Sequence, residues 1–191
     1  MNQSEVSELF KKNNALLSGH FLLSSGLHSD VYFQSALILQ YPKEAEKLAE
    51  ELGGNLIKNS IKADVVISPA IGGIILGQEI ARFLGVRAIF TEKVDGKSVL
   101  RRGFHIKENE RVVIAEDVIT TGLSTNEVIN TIKPFGAEIV AILSLVDRSA
   151  GKINFNVPKF SLLNLEVKNY KPQDCPMCKQ GDIPIKPGSR K

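Results

Sequence analysis

One segment, residues 111–125, constrains the fold of this chain more than any other part of its sequence. The apolar run at residues 112–115 predicts a short buried strand, and two adjacent acids, Glu116 and Asp117, stand at its carboxyl end. A loop rich in hydroxyl side chains comes next, and the apolar spacing after it predicts a helix. The segment therefore predicts a strand–loop–helix unit, the repeating element of a mainly parallel α/β sheet.

The loop at residues 120–125 has the composition of an anion-binding site. Small hydroxyl residues and Gly122 let backbone N–H groups surround a phosphate, and the start of the following helix adds a partial positive charge. Glu116 and Asp117, directly ahead of the loop, can accept hydrogen bonds from sugar hydroxyls. The segment thus offers a phosphate site and a ribose site a few residues apart.

An ordinary strand–turn–helix is the alternative for this segment. Thr120, Ser124 and Thr125 would then serve only to cap the helix, as hydroxyl side chains commonly do. However, two carboxylates at the end of a buried strand repel each other and lose solvation unless something occupies the site. We therefore favour a ligand site.

The same segment resembles the phosphoribosyl pyrophosphate signature of the type I phosphoribosyltransferases. The resemblance implies that Glu116 and Asp117 face the ribose, with Asp117 a catalytic residue, and that residues 120–124 hold the 5-phosphate. It also implies Mg²⁺ as the cofactor, carried by the pyrophosphate and not by dedicated protein ligands. The implied contacts with phosphoribosyl pyrophosphate are Glu116, Asp117, Val118, Ile119, Thr120, Thr121, Gly122, Leu123, Ser124 and Lys93.

Three further segments resemble the orotate-specific members of that family. Residues 19–33 are similar to their opening, and residues 68–74 to the second phosphate loop, which cradles pyrophosphate. Residues 145–148 place Arg148 where those enzymes hold the base. The resemblance implies transfer of phosphoribosyl to orotate in UMP synthesis, giving orotidine 5-monophosphate and pyrophosphate, with Thr120 and Arg148 contacting orotate.

Two other functions are compatible with these motifs, and Arg148 has one alternative role. A transferase acting on a purine or xanthine would share every phosphate feature, and a nucleotide-sensing regulator could keep the fold without turnover. Arg148 could form only a surface ion pair with its neighbour Asp147, which would contribute little. A planar guanidinium is nevertheless the best partner for a carboxylate such as that of orotate.

A polar loop expected at residues 94–104 adds cations near the predicted site. Lys93, Lys97, Arg101 and Arg102 could form a solvated basic surface, but departing pyrophosphate needs cations, and a mobile loop supplies them without burying charge permanently. The family resemblance implies that Lys97 is catalytic. It also implies that Lys93 and Lys97 reach the pyrophosphate of the neighbouring subunit, and hence that the protein is a homodimer.

The chain departs from the orotate pattern at several basic positions. Many orotate enzymes carry lysines where this chain has Ser24 and Gly72, and an arginine where it has Glu92. Their loop histidine has no matching position here, and His105 lies only at the far end of the expected loop.

Two cysteines, Cys175 and Cys178, lie in a C-terminal tail, residues 171–191. Zinc usually needs four ligands, and no histidine is near this pair in the sequence. We therefore expect free thiols, with a disulfide or a metal shared across a dimer as alternatives, and a tail that packs or is disordered. His28 and His105 are candidate ligands, and His20 is expected in a turn.

Composition limits the class of protein. A chain of 191 residues with 43% hydrophobic and 24% charged residues predicts one globular domain spanning residues 1–191. The net charge of +3 comes from scattered residues, which argues against nucleic-acid binding. No apolar run approaches the ~20 residues of a membrane span, and the start lacks a secretion signal, so we expect a cytoplasmic protein without membrane contact.

Strand and helix patterns alternate along the chain and predict an α/β fold, a mainly parallel central sheet with helices on both faces. The resemblance implies that this is the type I phosphoribosyltransferase fold, with a small N-terminal hood built mainly from residues 1–40. Ligands of such sheets bind at the carboxyl ends of the strands, where the predicted loops lie. The predicted strands are 64–68, 86–90, 112–115, 137–146 and 160–167, and the predicted helices include 4–13, one opened by Pro42, and 73–84.

Overall fold

The structure, a computed structural model, describes residues 1–23 and 25–187. In chain order its elements are α1 (Gln3–Lys12), β1 (Leu16–Leu22), β2 (His28–Phe33), α2 (Ala36–Leu39), α3 (Pro42–Lys58), β3 (Val65–Pro69), α4 (Gly73–Leu84), β4 (Arg87–Val94), β5 (Lys97–Leu100), β6 (Arg111–Ile119), α5 (Leu123–Ile132), β7 (Glu138–Asp147), β8 (Lys159–Asn164), β9 (Asn169–Tyr170) and α6 (Pro176–Lys179). Short 3₁₀ turns follow α5 and precede α6.

The central sheet has six strands in the order β5-β4-β3-β6-β7-β8. All neighbours are parallel except β5, which pairs antiparallel with β4. Side chains on the two faces of β3 enter different cores. Val65 and Ile67 pack with Ile132 of α5, whereas Val66 packs with Leu76 of α4. Because both faces are covered by helices, the strands are apolar on both sides, and the predicted fold class is confirmed.

Helix α4 approaches β3 closely because Gly77 has no side chain. A Cβ atom at Gly77 would lie 2.0 Å from Oγ and 3.2 Å from Cβ of Ser68, so even alanine would require the buried Ser68 hydroxyl to turn away. Gly85 ends the helix in the left-handed conformation at φ +69°, which glycine adopts without strain. These glycines place the start of α4 at the carboxyl edge of the sheet.

A second sheet of three antiparallel strands, β1-β2-β9, lies over that edge, and we use the name hood for this sheet. Its third strand comes from near the C-terminus. The tail also pairs with β1, since Leu22 N–H donates to the Ile185 carbonyl at 2.8 Å and Ile185 N–H donates to the His20 carbonyl at 2.8 Å. The hood sheet is therefore assembled from both ends of the chain.

Three local predictions differ from the structure. Strand β6 does not stop at Ala115 but continues through both acids to Ile119. The segment expected as the loop 94–104 is partly a hairpin, because β4 extends to Val94 and β5 returns beside it. Strand β8 is Lys159–Asn164 and not 160–167. Within the described residues, no helix is both long enough and apolar enough to cross a membrane.

Candidate active site

A cavity of about 790 Å³ opens between the hood and the carboxyl ends of the central strands. It brings together six of the residues predicted from the sequence. They are Lys93, Thr120, Thr121, Leu123, Ser124 and Arg148. Leu22 and Tyr32 of the hood form its opposite wall. Lys97 is exposed and is not among the described residues that line this cavity.

The loop between β6 and α5 presents an open helix start to the cavity. Gly122 precedes the helix at φ +74°, and no described side chain caps its first N–H groups. Ser124 donates instead to Glu116, and the hydroxyl of Thr125 is buried without a described partner, so the interpretation of these side chains as simple caps is wrong. The uncapped N–H groups and the helix dipole suit a phosphate.

The two acids of β6 differ in environment. Glu116 is only 4% exposed, and Ser124 Oγ donates to its Oε2 at 2.6 Å. Burial, together with the negative charge of Asp117, raises the pKa of Glu116 to about 8. Asp117 is partly exposed and accepts a hydrogen bond from the N–H of Val118 at 2.9 Å. The raised pKa favours the protonated form of Glu116 at neutral pH.

Replacing Glu116 with glutamine should abolish the loss of folding stability with rising pH that the raised pKa of Glu116 causes. Above pH 4.5 the unfolded chain loses the Glu116 proton first, so the folded protein loses relative stability as the pH rises towards about 8. We expect the melting temperature of Glu116→Gln to match wild type near pH 4.5 and to exceed it by at least about 2–4 °C at pH 9. The measurement is thermal unfolding of wild type and Glu116→Gln between pH 4.5 and pH 9. The exposed-site control Glu50→Gln should follow wild type, and parallel curves for Glu116→Gln would contradict the raised pKa.

The second loop, between β3 and α4, meets the first at Asp117. A Cβ atom at Gly72 would lie 2.6 Å from Oδ2 of Asp117, so any side chain there would collide with the carboxylate as it now stands. This contact gives a physical reason for the departure from lysine at Gly72. The other lysine departure, Ser24, lies outside the described residues.

Arg148, at the end of β7, points a guanidinium into the cavity. Its Nη2 donates to Asn169 Oδ1 at 3.2 Å and to Ser29 Oγ at 3.4 Å, but its buried Nε has no partner among the described residues. Burial lowers the pKa of Arg148, opposed by the nearby charge of Asp30. A desolvated cation with an unused donor is suited to an anion.

Asp147 does not pair with Arg148, so the interpretation as a surface ion pair is wrong. Asp147 is fully buried and lies 2.6 Å from Nζ of Lys159, with Ser149 donating to it through both N–H and hydroxyl. Burial opposes ionisation, but the hydrogen bonds from Lys159 and Ser149 outweigh it and hold the pKa of Asp147 below its ordinary value. Arg148 is thus left for a ligand.

Comparison with known proteins agrees with this geometry. A family model described as the phosphoribosyl transferase domain matches residues 38–177. The chain is also 51% identical to an orotate phosphoribosyltransferase of Carboxydothermus hydrogenoformans, over 98% of each chain. The chain belongs to the orotate phosphoribosyltransferase family. The relationship inferred from the sequence motifs is therefore confirmed.

Solved structures show the same fold in orotate and purine enzymes. The orotate phosphoribosyltransferase of Aeropyrum pernix superposes with a TM-score of 0.67 and 29% identity, over 83% of this chain and 92% of that one. An adenine phosphoribosyltransferase of Saccharomyces cerevisiae gives 0.66 with 21% identity, over 84% and 99%. The second likeness shows the fold alone, so the fold does not by itself select the base.

Three of the four cations at residues 93–102, Lys93, Arg101 and Arg102, are paired with acids in the structure. Lys93 Nζ lies 3.1 Å from Glu127 Oε2 at the rim of the cavity. Arg102 Nε lies 2.5 Å from Glu92 Oε1, and Arg101 is 3.8 Å from the same carboxylate. Glu92, where many orotate enzymes have arginine, thus organises the two arginines that follow β5.

C-terminal segments contribute to the cavity, which was not predicted. Asn169 of β9 and the tail residues Lys186 and Pro187 line it, although the tail was expected only to pack or to be disordered. Nothing within residues 183–187 indicates a ligand site, because their position depends on pairing with β1. His105 is exposed, and its carbonyl accepts from Arg87 Nη2 at 2.7 Å, away from the cavity lining.

Proposed function

We propose that this protein is an enzyme that transfers phosphoribosyl from phosphoribosyl pyrophosphate to orotate, forming orotidine 5-monophosphate and pyrophosphate in UMP synthesis. One observation carries the choice of substrate: a single cavity combines the uncapped start of α5 with Arg148, whose buried Nε has no described partner. The first feature suits the 5-phosphate, and the second suits the carboxylate of orotate.

The proposed reaction needs positioning and charge stabilisation more than proton transfer. The bond between the anomeric carbon and pyrophosphate breaks, and its electron pair leaves with pyrophosphate. A ring nitrogen of orotate forms the new C–N bond and releases its acidic N–H proton to solvent. Residues 120–124 would hold the 5-phosphate, while Glu116 and Asp117 would hold the ribose. The ionised Asp117 would favour positive charge on the sugar, and Arg148, with Thr120 near the ring, would orient orotate.

We propose Mg²⁺ as the cofactor. This ion takes oxygen ligands and is usually held by one or two carboxylates together with water and substrate phosphates. Asp117 fits that requirement, because its partly exposed carboxylate lies beside the second loop at Gly72. The bound ion would supply neutralisation of the pyrophosphate charge, with most of its ligands coming from the substrate and water.

We also propose that the protein is a homodimer in which Lys97 serves the cavity of the partner subunit. Lys97 lies on the hairpin β4–β5 and is exposed. It is not among the described residues that line the cavity of its own chain. Its hairpin is held in place, since Thr131 Oγ1 of α5 donates to the Ser98 carbonyl at 2.9 Å. We propose a cytoplasmic location, which agrees with the lack of a disulfide between Cys175 and Cys178 in the described residues, since disulfides are rare in a reducing compartment.

Mixing two inactive variants tests the dimer. Lys97→Ala and Asp117→Asn should each be nearly inactive alone, but hybrids of the two contain one intact site if Lys97 acts on the partner. Random subunit exchange should therefore restore about a quarter of wild-type activity. Turnover of orotate after mixing and incubation is the measurement. The same mixture with Lys97→Ala and Arg148→Ala is a second positive case, and failure of both mixtures to recover activity despite exchange would contradict the arrangement.

The function itself is tested with a panel of bases. Loss of orotate absorbance on adding phosphoribosyl pyrophosphate and Mg²⁺ is the expected result, with no turnover of adenine, hypoxanthine or xanthine. Turnover of a purine but not of orotate would support the other transferase. Salt-dependent binding of RNA or DNA without any turnover would support the nucleotide-sensing regulator.

A further inference from the structure

Four metal-binding side chains converge where the tail packs on the hood. His20 lies on β1 and His28 on β2, while Cys175 and Cys178 flank the start of α6. One ligand atom from each residue lies within 4.8 Å of all the others. The group contains both cysteines of the chain and two of its three histidines, and none of the four is among the residues lining the active-site cavity.

The separations of these atoms are close to those of a tetrahedral zinc site. His20 Nε2 and His28 Nδ1 are 2.8 Å apart, Cys175 Sγ is 3.4 Å from His20 Nε2, and Cys178 Sγ is 3.3 Å from His28 Nδ1. Bonds of about 2.0–2.1 Å to nitrogen and 2.3 Å to sulfur give ligand–ligand edges of about 3.3–3.8 Å. Small side-chain movements would therefore admit the ion. The spacing Cys175-x-x-Cys178 is also common in structural zinc sites.

The surroundings of His20 provide a second, independent indication. The imidazole is buried, and its Nδ1, which faces away from the cysteines, has no hydrogen-bond partner among the described residues. The nearest acid places Oδ2 of Asp182 at 3.6 Å from this nitrogen. A carboxylate behind a histidine is the usual support for a metal ligand, because it fixes the ring orientation and the tautomer.

We propose that His20, His28, Cys175 and Cys178 bind a structural zinc ion that fastens the C-terminal tail to the hood. Four protein ligands leave no open position for a substrate, which distinguishes a structural site from a catalytic one. Two thiolates and two imidazoles favour zinc over magnesium or calcium, which take oxygen ligands. The ion connects two strands near the N-terminus with a helix near the C-terminus, and so closes a very long loop.

The zinc site has a consequence for the cavity. Beyond the cysteines, the tail pairs with β1 at Ile185 and then places Lys186 and Pro187 in the cavity lining. Loss of zinc would release this segment from the hood. If the proposed function is correct, removal of zinc should raise the KM for an anionic substrate more than it lowers kcat, because Lys186 adds positive charge to the cavity.

Metal analysis of the full chain, purified under reducing conditions without chelators, tests the site. We expect about one zinc ion per chain in wild type and almost none in Cys178→Ser. His105→Ala is the matched control, since His105 is exposed and outside the cluster, and it should retain the zinc. In case Cys178→Ser folds poorly, cobalt exchange into the wild-type protein should give the visible absorption bands of tetrahedral, thiolate-bound cobalt.

Stability provides a further readout. A zinc chelator should lower the melting temperature of wild type and of His105→Ala, and added zinc should restore it. Wild-type protein that binds neither zinc nor cobalt, or that contains a Cys175–Cys178 disulfide when freshly prepared, would overturn the proposal. Zinc content is measured without reference to turnover, so protein that holds zinc but does not use orotate would overturn only the proposed function.

Discussion

Replacing Asp117 with asparagine is expected to lower kcat/KM by about 10²–10³-fold, the effect of removing one preorganised electrostatic contact to a transition state. The melting temperature should stay within about 2 °C of wild type. Asp117 is partly exposed, and its hydrogen bond from the Val118 N–H can be kept by the amide oxygen of asparagine. The substitution therefore removes a charge at the proposed ribose site without removing a packing contact.

The pH dependence of the melting temperature of Asp117→Asn also reports on the pKa of Glu116. The charge of Asp117 helps to raise the pKa of Glu116, so its removal should make the melting temperature less sensitive to pH above 4.5. Steady-state kinetics and thermal unfolding at several pH values are the measurements, and Glu50→Gln serves as the control for loss of an exposed carboxylate. If unfolding at the assay temperature accounts for the loss of activity, the result would contradict a catalytic role for Asp117.

The central sheet was predictable because its signals are local. The apolar run at residues 112–115 and the helix α4, bounded by Gly72 and Gly85, lie within the sequence that forms them. The end of β6 was not predictable in this way. Glu116 pairs with Ser144 and Ile119 with Asp147, so the strand continues past Ala115 because β7 runs beside it. Pairing with a distant strand leaves no mark in a short window of sequence.

A local pattern in the sequence indicates the hairpin β4–β5, although the hairpin was not predicted. Asp95 and Gly96 form its turn at φ +50° and +76°, and an Asp-Gly pair is a strong indication of a two-residue hairpin turn. The cationic side chains around this turn led to the prediction of a mobile loop instead. The hairpin fixes the directions in which Lys93 and Lys97 point, which a flexible loop would not do.

The cluster of His20, His28, Cys175 and Cys178 was not predicted because its members are far apart in the sequence. The expectation that no histidine lies near the cysteines considered only the sequence around Cys175 and Cys178. His20 was expected in a turn but lies buried in β1, and it meets the cysteines only because the tail pairs with that strand. Ligands contributed by opposite ends of a chain can be recognised only when the fold brings the ends together.

Replacing Arg148 with alanine is expected to lower kcat/KM for orotate by about 30- to 5,000-fold, since truncating one partner of a buried charge pair costs about 2–5 kcal/mol. The folded protein should lose little stability. Arg148 is desolvated, its Nε has no described partner, and its hydrogen bonds to Asn169 and Ser29 are long. Arg148→Lys should recover little activity, because an ammonium group cannot replace the planar fork of donors.

Comparison with uracil, which has the same ring without the carboxylate, separates recognition from general damage to the site. Wild type should prefer orotate to uracil strongly, and Arg148→Ala should lose most of that preference through slower use of orotate alone. The KM for phosphoribosyl pyrophosphate should change little, because the uncapped helix start that suits its 5-phosphate belongs to α5 and not to β7. Equal losses with both bases would place the effect of Arg148 on the fold or on the other substrate. Selective loss with orotate would instead locate the specificity of the cavity in the partly buried guanidinium of Arg148, whose Nε has no partner among the described residues.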